Sequence, residues 1–176
     1  MDRVNPATTD PETIFLTWFR DHRGILFKIA RSFAASAADQ DELFQEMLFQ
    51  LWRSAARFRG ESKASTWVYR VCFHTAQTWR RGEERREYWK GALAAEPAPE
   101  APSSVACERS EALGALYRAV RGLPEAERTL VLLLLDGQSY REIAEVTGLT
   151  ENHVGVALSR ARKKLAAAMQ EVRREL

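Results

Sequence analysis

Residues 139–165, SYREIAEVTGLTENHVGVALSRARKKL, constrain this chain more than any other stretch. Ser139 followed three residues later by Glu142 is a capping box, each side chain satisfying an orphan N–H of the other's turn. The helix it opens, residues 140–146, turns Ile143, Ala144 and Val146 toward a partner. Gly148 can take the positive φ that a bend between two crossed helices needs. Thr150 then caps a second helix with a stripe of Val154, Leu158, Ala161 and Leu165 at spacings of three and four. Its other face presents Asn152, Val156, Ser159, Arg160 and Lys163, with Arg162 and Lys164 on the flank. Cap, glycine, stripe and basic face follow one another in the order of a helix-turn-helix that reads DNA. A helical hairpin with a merely solvated basic face is the plainer alternative.

The rest of the second half fits a short helical bundle around that motif. Leu113, Leu116, Tyr117, Val120 and Leu123 make an amphipathic helix ending at Gly122-Leu123-Pro124. Pro124 is expected at the first position of the next helix, with Glu125 and Glu127 near its positive end. Val131, Leu132, Leu134 and Leu135 are expected to bury that helix, and Asp136-Gly137 turns into the Ser139 cap.

Upstream, residues 91–104 read GALAAEPAPEAPSS, with no aromatic and no basic residue. Such a segment buries too little apolar surface to fold, so the composition predicts a flexible, mildly acidic Pro/Ala-rich linker. The expected organisation is all-α: a helical domain over 10–90, the linker over 91–104 and the helix-turn-helix domain over 105–170. Strand-like alternation and internal repeats are absent from the sequence.

In the first domain Asp10 and Pro11 open a helix as N-cap and N1. The apolar residues from Ile14 to Phe33 are too dense for a thin stripe, which predicts two well-buried helical segments with a break near Gly24. Residues 39–57, DQDELFQEMLFQLWRSAAR, divide on a helical wheel. Phe44, Met47, Leu48, Leu51 and Ala55 lie on one side; Glu42, Gln45, Glu46, Phe49 and Arg53 lie on the other. A phenylalanine amid an acidic face gains nothing from water, so this face reads as a protein-docking surface with an apolar anchor. A core helix with one stray exposed aromatic is the alternative.

Residues 58–65, FRGESKAS, lack periodicity and read as a loop, after which Thr66 is expected to cap a further helix. On that helix Val68, Val71, Cys72, Thr75, Ala76 and Trp79 form a broad apolar side. Arg70, His74, Gln77, Thr78 and Arg81 form a narrow polar one, with Trp67 at its edge. Arginine and glutamine reach phosphates and base edges, and tryptophan offers a stacking plane for an unpaired base. A solvated face beside a core tryptophan is the alternative, and His74 alone suggests a surface histidine rather than a catalytic one.

Several function classes fall away. The net charge of +2 over 176 residues means that nucleic-acid affinity must come from how charge is distributed. No apolar run reaches membrane-spanning length, and MDRVNPATTDPE lacks a signal-peptide layout, so a cytoplasmic protein is expected. Cys72 and Cys107, with three scattered histidines, make no metal-site spacing and read as reduced thiols. No P-loop, HExxH, nucleophile elbow or carboxylate–histidine pairing is present, so neither an enzyme, a metal nor a cofactor is expected.

Three stretches carry a resemblance: ADQDELFQEMLFQLW (38–52), FRGESKASTWVYRV (58–71) and LPEAERTLVLLLLDGQSYREIAEVTGLTENHVGVALSRARKKL (123–165). In order and spacing the chain resembles the bacterial extracytoplasmic-function (ECF) sigma factors over nearly its whole length. The stretches are similar to that family's polymerase-docking motif, its promoter-melting loop and helix, and its region 4.

The resemblance implies a subunit that binds RNA polymerase core and directs initiation at −10 and −35 promoter elements. Asp41, Glu42, Gln45, Glu46 and Phe49 would dock on the β′ clamp helices, and the second domain would meet the β flap. The loop residues Phe58, Arg59, Ser62 and Lys63, with Trp67, Arg70, His74, Gln77 and Arg81, would open and hold the −10 element. Thr150, Asn152, His153, Val156, Ser159, Arg160, Arg162, Lys163 and Lys164 would serve the −35 element. An anti-sigma factor is implied as a further partner. The chain departs from the family pattern at His74, where asparagine is usual, and at Thr78, often aspartate. It departs also at Ala64, often larger, and at Gly155-Val156-Ala157, often Lys-Ser-Arg. A stand-alone helix-turn-helix regulator with a sensing or dimerising first domain is the alternative, and it leaves the Glu42/Phe49 and Trp67–Arg81 faces without a role.

Overall fold

The computed structural model describes residues 10–92 and 111–175, which form seven α-helices and no strand. The chain divides into two compact units, Met1–Val105 and Ala106–Leu176.

The first unit holds α1 (Pro11–Phe33), α2 (Ala37–Ala55) and α3 (Ala64–Ala92), each packed on the other two. Asp10 caps α1 by accepting from the N–H groups of Glu12 and Thr13 at 3.2 and 3.4 Å, with Pro11 in the first turn. The break expected near Gly24 does not occur: α1 is one helix of 23 residues. Gly24 is exposed and costs up to about 1 kcal/mol against alanine. Burial of Trp18, Ile25, Leu26 and Ile29 on either side of it outweighs that.

Ser36 caps α2, its Oγ accepting from Asp39 N–H at 3.1 Å. The buried stripe of α2 is Leu43, Met47, Leu51 and Ala55, so Leu43 holds the core position assigned to Phe44. Phe44 is half-buried on the flank, where its ring stacks on Phe27 of α1 at 4.5 Å. Helix α3 starts at Ala64, so Thr66 lies inside its first turn, buried, and does not cap it. Val68, Cys72 and Ala76 fill the core as expected, joined by Tyr69 and Phe73, whose rings stack at 6.0 Å. Val71 and Trp79 are only half-buried. The charge-rich end of α3 is braced by Arg80–Glu84 at 2.9 Å and Arg86–Glu83 at 2.8 Å. The helix runs through Gly91 and Ala92, which composition places in the linker; the rest of the linker reading, 93–104, and Cys107 lie outside the described residues.

In the second unit α4 (Glu111–Arg121), α5 (Glu125–Leu135) and α6 (Tyr140–Thr147) all pack against α7 (Glu151–Glu175). Pro124 is the N-cap of α5 rather than its first residue. The buried run of α5 is Leu130 to Leu133, while Leu135 is exposed, because the helix ends there and Asp136-Gly137 turns away. Arg128, on the same helix, is only 1% exposed. Its guanidinium donates through Nη2 to the carbonyls of Arg121 and Leu123, closing the C-terminal end of α4.

Candidate nucleic-acid interface and docking face

On α2 the spacing 42, 45, 46, 49 sets Glu42, Gln45, Glu46 and Phe49 on one outward face, with Asp41 beside them. Asp41, Glu42 and Gln45 are exposed, and Glu46 is half-buried, its Oε1 accepting from Gln50 at 2.8 Å. Phe49 is 49% exposed, as an anchor for a partner must be. The structure adds a residue that the wheel did not single out. Trp52, 54% exposed, stacks with Phe49 at 6.3 Å between ring centres, and the Arg53 guanidinium lies 5.6 Å from the centre of the Phe49 ring. Trp52, Arg53 and Ala56 then line a cleft of about 440 Å³ with Asp10, Pro11 and Glu12 at the start of α1. The signal was present in the sequence, since Trp52 follows Phe49 by three residues on one helix. Glu42 also meets Arg86 of α3 at 3.6 Å, so its carboxylate already faces a cation.

The loop between α2 and α3 turns at Arg57 and Phe58, whose N–H groups donate to Ser54 O at 2.9 Å and Ala55 O at 3.2 Å. Gly60 takes φ 73° there. Phe58 is buried edge-on between Trp18 at 5.1 Å and Trp67 at 5.5 Å, which removes its ring from the surface. Arg59 and Lys63 are exposed and Ser62 is half-buried. Ala64, the position often larger in the family, is buried in the first turn of α3. Trp67 is half-buried, and its indole N–H donates to Ser54 Oγ at 3.1 Å, fixing the ring against α2. Along α3, Arg70, His74, Thr78 and Arg81 are exposed and Gln77 is half-buried, at helical spacing on one face. Thr78 donates to His74 O at 2.9 Å and so keeps only acceptor capacity for a partner. Beneath this face Cys72 is fully buried, and desolvation pushes its thiol well above the usual range; Tyr69 is pushed up to about 12 for the same reason.

In the second unit the capping box is complete: Glu142 N–H donates to Ser139 Oγ at 3.3 Å, and Ser139 N–H to Glu142 Oε2 at 2.9 Å. Gly148 takes φ 76° and its N–H donates to Ala144 O at 2.8 Å, a left-handed end that redirects the chain into α7. Thr150 Oγ1 accepts from His153 N–H at 3.3 Å and starts α7. Val154, Leu158 and Ala161 are buried and Leu165 half-buried. Asn152, His153, Val156, Ser159, Arg160, Arg162 and Lys163 are exposed. Lys164 is exposed too, and its ammonium lies 2.7 Å from Glu127 of α5.

Gly155 lies beside the Tyr140 ring of α6. A Cβ built there would lie 3.5 Å from Cε2 of Tyr140, an ordinary contact. Gly155→Ala is therefore expected to stabilise the second unit by up to about 1 kcal/mol through helix propensity. Thermal unfolding checks this: the midpoint rises, and a fall would mean that the Tyr140 ring cannot accept the methyl.

Among the described residues no group of histidine, cysteine, aspartate and glutamate is placed to hold a metal ion, and no helix is long and apolar enough to cross a membrane. The family model for Sigma-70 region 2 matches residues 18–86, and that for Sigma-70, region 4 matches residues 113–165. RNA polymerase sigma-H factor of Pseudomonas aeruginosa is 30% identical over 155 residues, covering 81% of this chain and 79% of that protein. ECF RNA polymerase sigma-E factor of Haemophilus influenzae is 28% identical over 146 residues, covering 77% of each. In fold the chain is similar to the sigma factor RpoE solved with the anti-sigma factor NepR from Bartonella quintana, with TM-score 0.71 at 20% identity over 89% of this chain and 96% of that one. It is similar also to CnrH solved with the cytosolic domain of CnrY, with TM-score 0.66 at 20% identity over 95% and 93%. The region 2 match falls within the first unit, and the stand-alone regulator reading is not favoured. The chain belongs to the extracytoplasmic-function sigma factors, the family whose members direct promoter-specific initiation of transcription.

Proposed function

We propose that the first unit, within 10–90, docks on polymerase core and opens the −10 element, and that the second, within 105–170, grips the −35 element, with 91–104 as the tether between them. The observation that carries the docking half is the exposed Phe49–Trp52 stack inside the acidic face of Asp41, Glu42, Gln45 and Glu46. Stacked aromatics with a charged surround suit a protein partner that brings basic side chains, such as the β′ clamp helices. The second unit would meet the β flap.

At the −10 element Arg59, Ser62 and Lys63 present the loop, and Arg70, His74, Gln77 and Arg81 hold phosphates and neighbouring bases. Phe58 acts from inside: wedged between Trp18 and Trp67, it fixes the loop rather than stacking on DNA. Trp67, anchored through Ser54, keeps part of its ring open as a platform at the edge of that face. Unstacking a base costs a few kcal/mol, and stacking it on protein returns about 1–3 kcal/mol, so capture of strands near −10 is energetically reasonable.

At the −35 element α7 enters the major groove, with Thr150 at its entrance and Asn152, His153, Val156 and Ser159 near base edges. Arg160, Arg162 and Lys163 hold the phosphates, and Lys164 steadies α7 through Glu127. The chain carries no chemistry of its own; it acts in the cytoplasm on the polymerase that does. An anti-sigma factor would restrain it by covering these faces, a reading supported by the complexes in which both similar structures were solved.

Arg160→Ala tests the upstream half. It is expected to weaken −35-dependent transcription and to flatten the salt dependence of promoter binding by about one unit. An unchanged footprint over −35 would mean that α7 is not the reading helix.

A further inference from the structure

Among the described residues, the face of α7 turned away from the core carries one large exposed apolar side chain, Val156. At 3.6 residues per turn, Val156 lies diametrically opposite the stripe of Val154, Leu158 and Ala161. It is 47% exposed. Asn152 stands one turn before it, Ser159 and Arg160 one turn after it, and Lys163 two turns after it, all exposed. A β-branched side chain contributes nothing to solubility at that position, and no core neighbour claims it. Its neighbours in sequence are Gly155, which lies beside the Tyr140 ring, and Ala157. Gly155 and Ala157 add no bulk beside Val156, so between the turns that carry Asn152 and Arg160 its side chain stays exposed and can meet a base-pair edge.

In the major groove one base edge presents an apolar group, the 5-methyl of thymine. We infer that Val156 reads a thymine methyl in the upstream element and sets this chain's base preference at that position. The inference rests on the assignment of α7 to the −35 element and adds which chemical group is read there. Asn152, one turn N-terminal on the same face, has the carboxamide that pairs with the N6 and N7 of an adenine, so the two residues would read neighbouring A·T pairs. Arg160 and Lys163 supply the sequence-independent grip on phosphates that frames both.

The test uses holoenzyme reconstituted from polymerase core and the full chain. Upstream elements are selected from duplexes randomised over the −35 region, and each thymine of the selected element is then replaced singly by deoxyuridine, which removes only the 5-methyl. One such replacement is expected to weaken wild-type binding about three- to fivefold, the scale of one buried methyl-sized group. Val156→Ala, at an exposed helical position, keeps the fold by circular dichroism and weakens binding to the thymine duplex by a similar factor. It then loses nothing more on the deoxyuridine duplex, and selection with it no longer enriches thymine at that position. If Val156→Ala selects the same thymine and loses as much as wild type on its replacement, the inference is overturned while the assignment of α7 stands. If wild type selects no upstream sequence at all, the assignment itself is overturned and the inference with it.

Discussion

Replacing Glu46 by arginine and Phe49 by alanine together is expected to reduce affinity for polymerase core by at least about 100-fold, the loss typical of removing a central anchor. The charge reversal places a cation where the partner is expected to bring one, and the truncation removes half of the Phe49–Trp52 stack. Neither side chain belongs to the buried stripe of Leu43, Met47, Leu51 and Ala55. The thermal midpoint of the first unit is therefore expected to move little, since an exposed aromatic pair is worth about 1 kcal/mol. Titration of labelled protein with core reads the affinity, and circular dichroism reads the fold. Trp52→Ala alone is expected to weaken binding in the same direction. Normal core affinity in the double variant would remove the docking role from this face.

The second large effect concerns stability. Arg128→Ala strips two carbonyls at the end of α4 of their donor, at about 1–3 kcal/mol each when they stay buried. It also leaves the space of a long side chain that is 1% exposed. A loss of about 3 kcal/mol is expected for the second unit, which for a domain of this size lowers its unfolding midpoint by some 12–24 °C, or about 4–8 °C per kcal/mol. Since α4 and α5 both pack on α7, upstream promoter binding falls with the same variant. An unchanged midpoint would make Arg128 a bystander.

Phe49 and Arg128 also mark what a sequence does and does not disclose. The helix-turn-helix was legible because its signals are local: the Ser139–Glu142 box, Gly148 at positive φ and the 154–158–161 stripe all act within a few residues. Phe49 was legible for the same reason, as an apolar side chain on an otherwise acidic face. Arg128 was not, because its partners close a different helix and nothing within its own turn announces them. Phe58 was assigned to an open loop by its glycine and polar neighbours, while Trp18 and Trp67, distant in sequence, bury it. The exchange of Leu43 for Phe44 has a similar origin. Two adjacent apolar residues fit the wheel almost equally, and the Phe27 ring on α1 decides which turns aside. Gly24 shows the converse, a local signal for a break overridden by the core on both sides of it.

Run-off transcription with purified polymerase core and a pool of genomic promoter fragments tests the central claim most directly. Core supplemented with this chain is expected to start RNA at discrete positions on a subset of fragments, with upstream and melted regions both protected, while core alone starts at none of them. Failure to direct initiation on any fragment, with core that responds normally to another sigma factor, would contradict it.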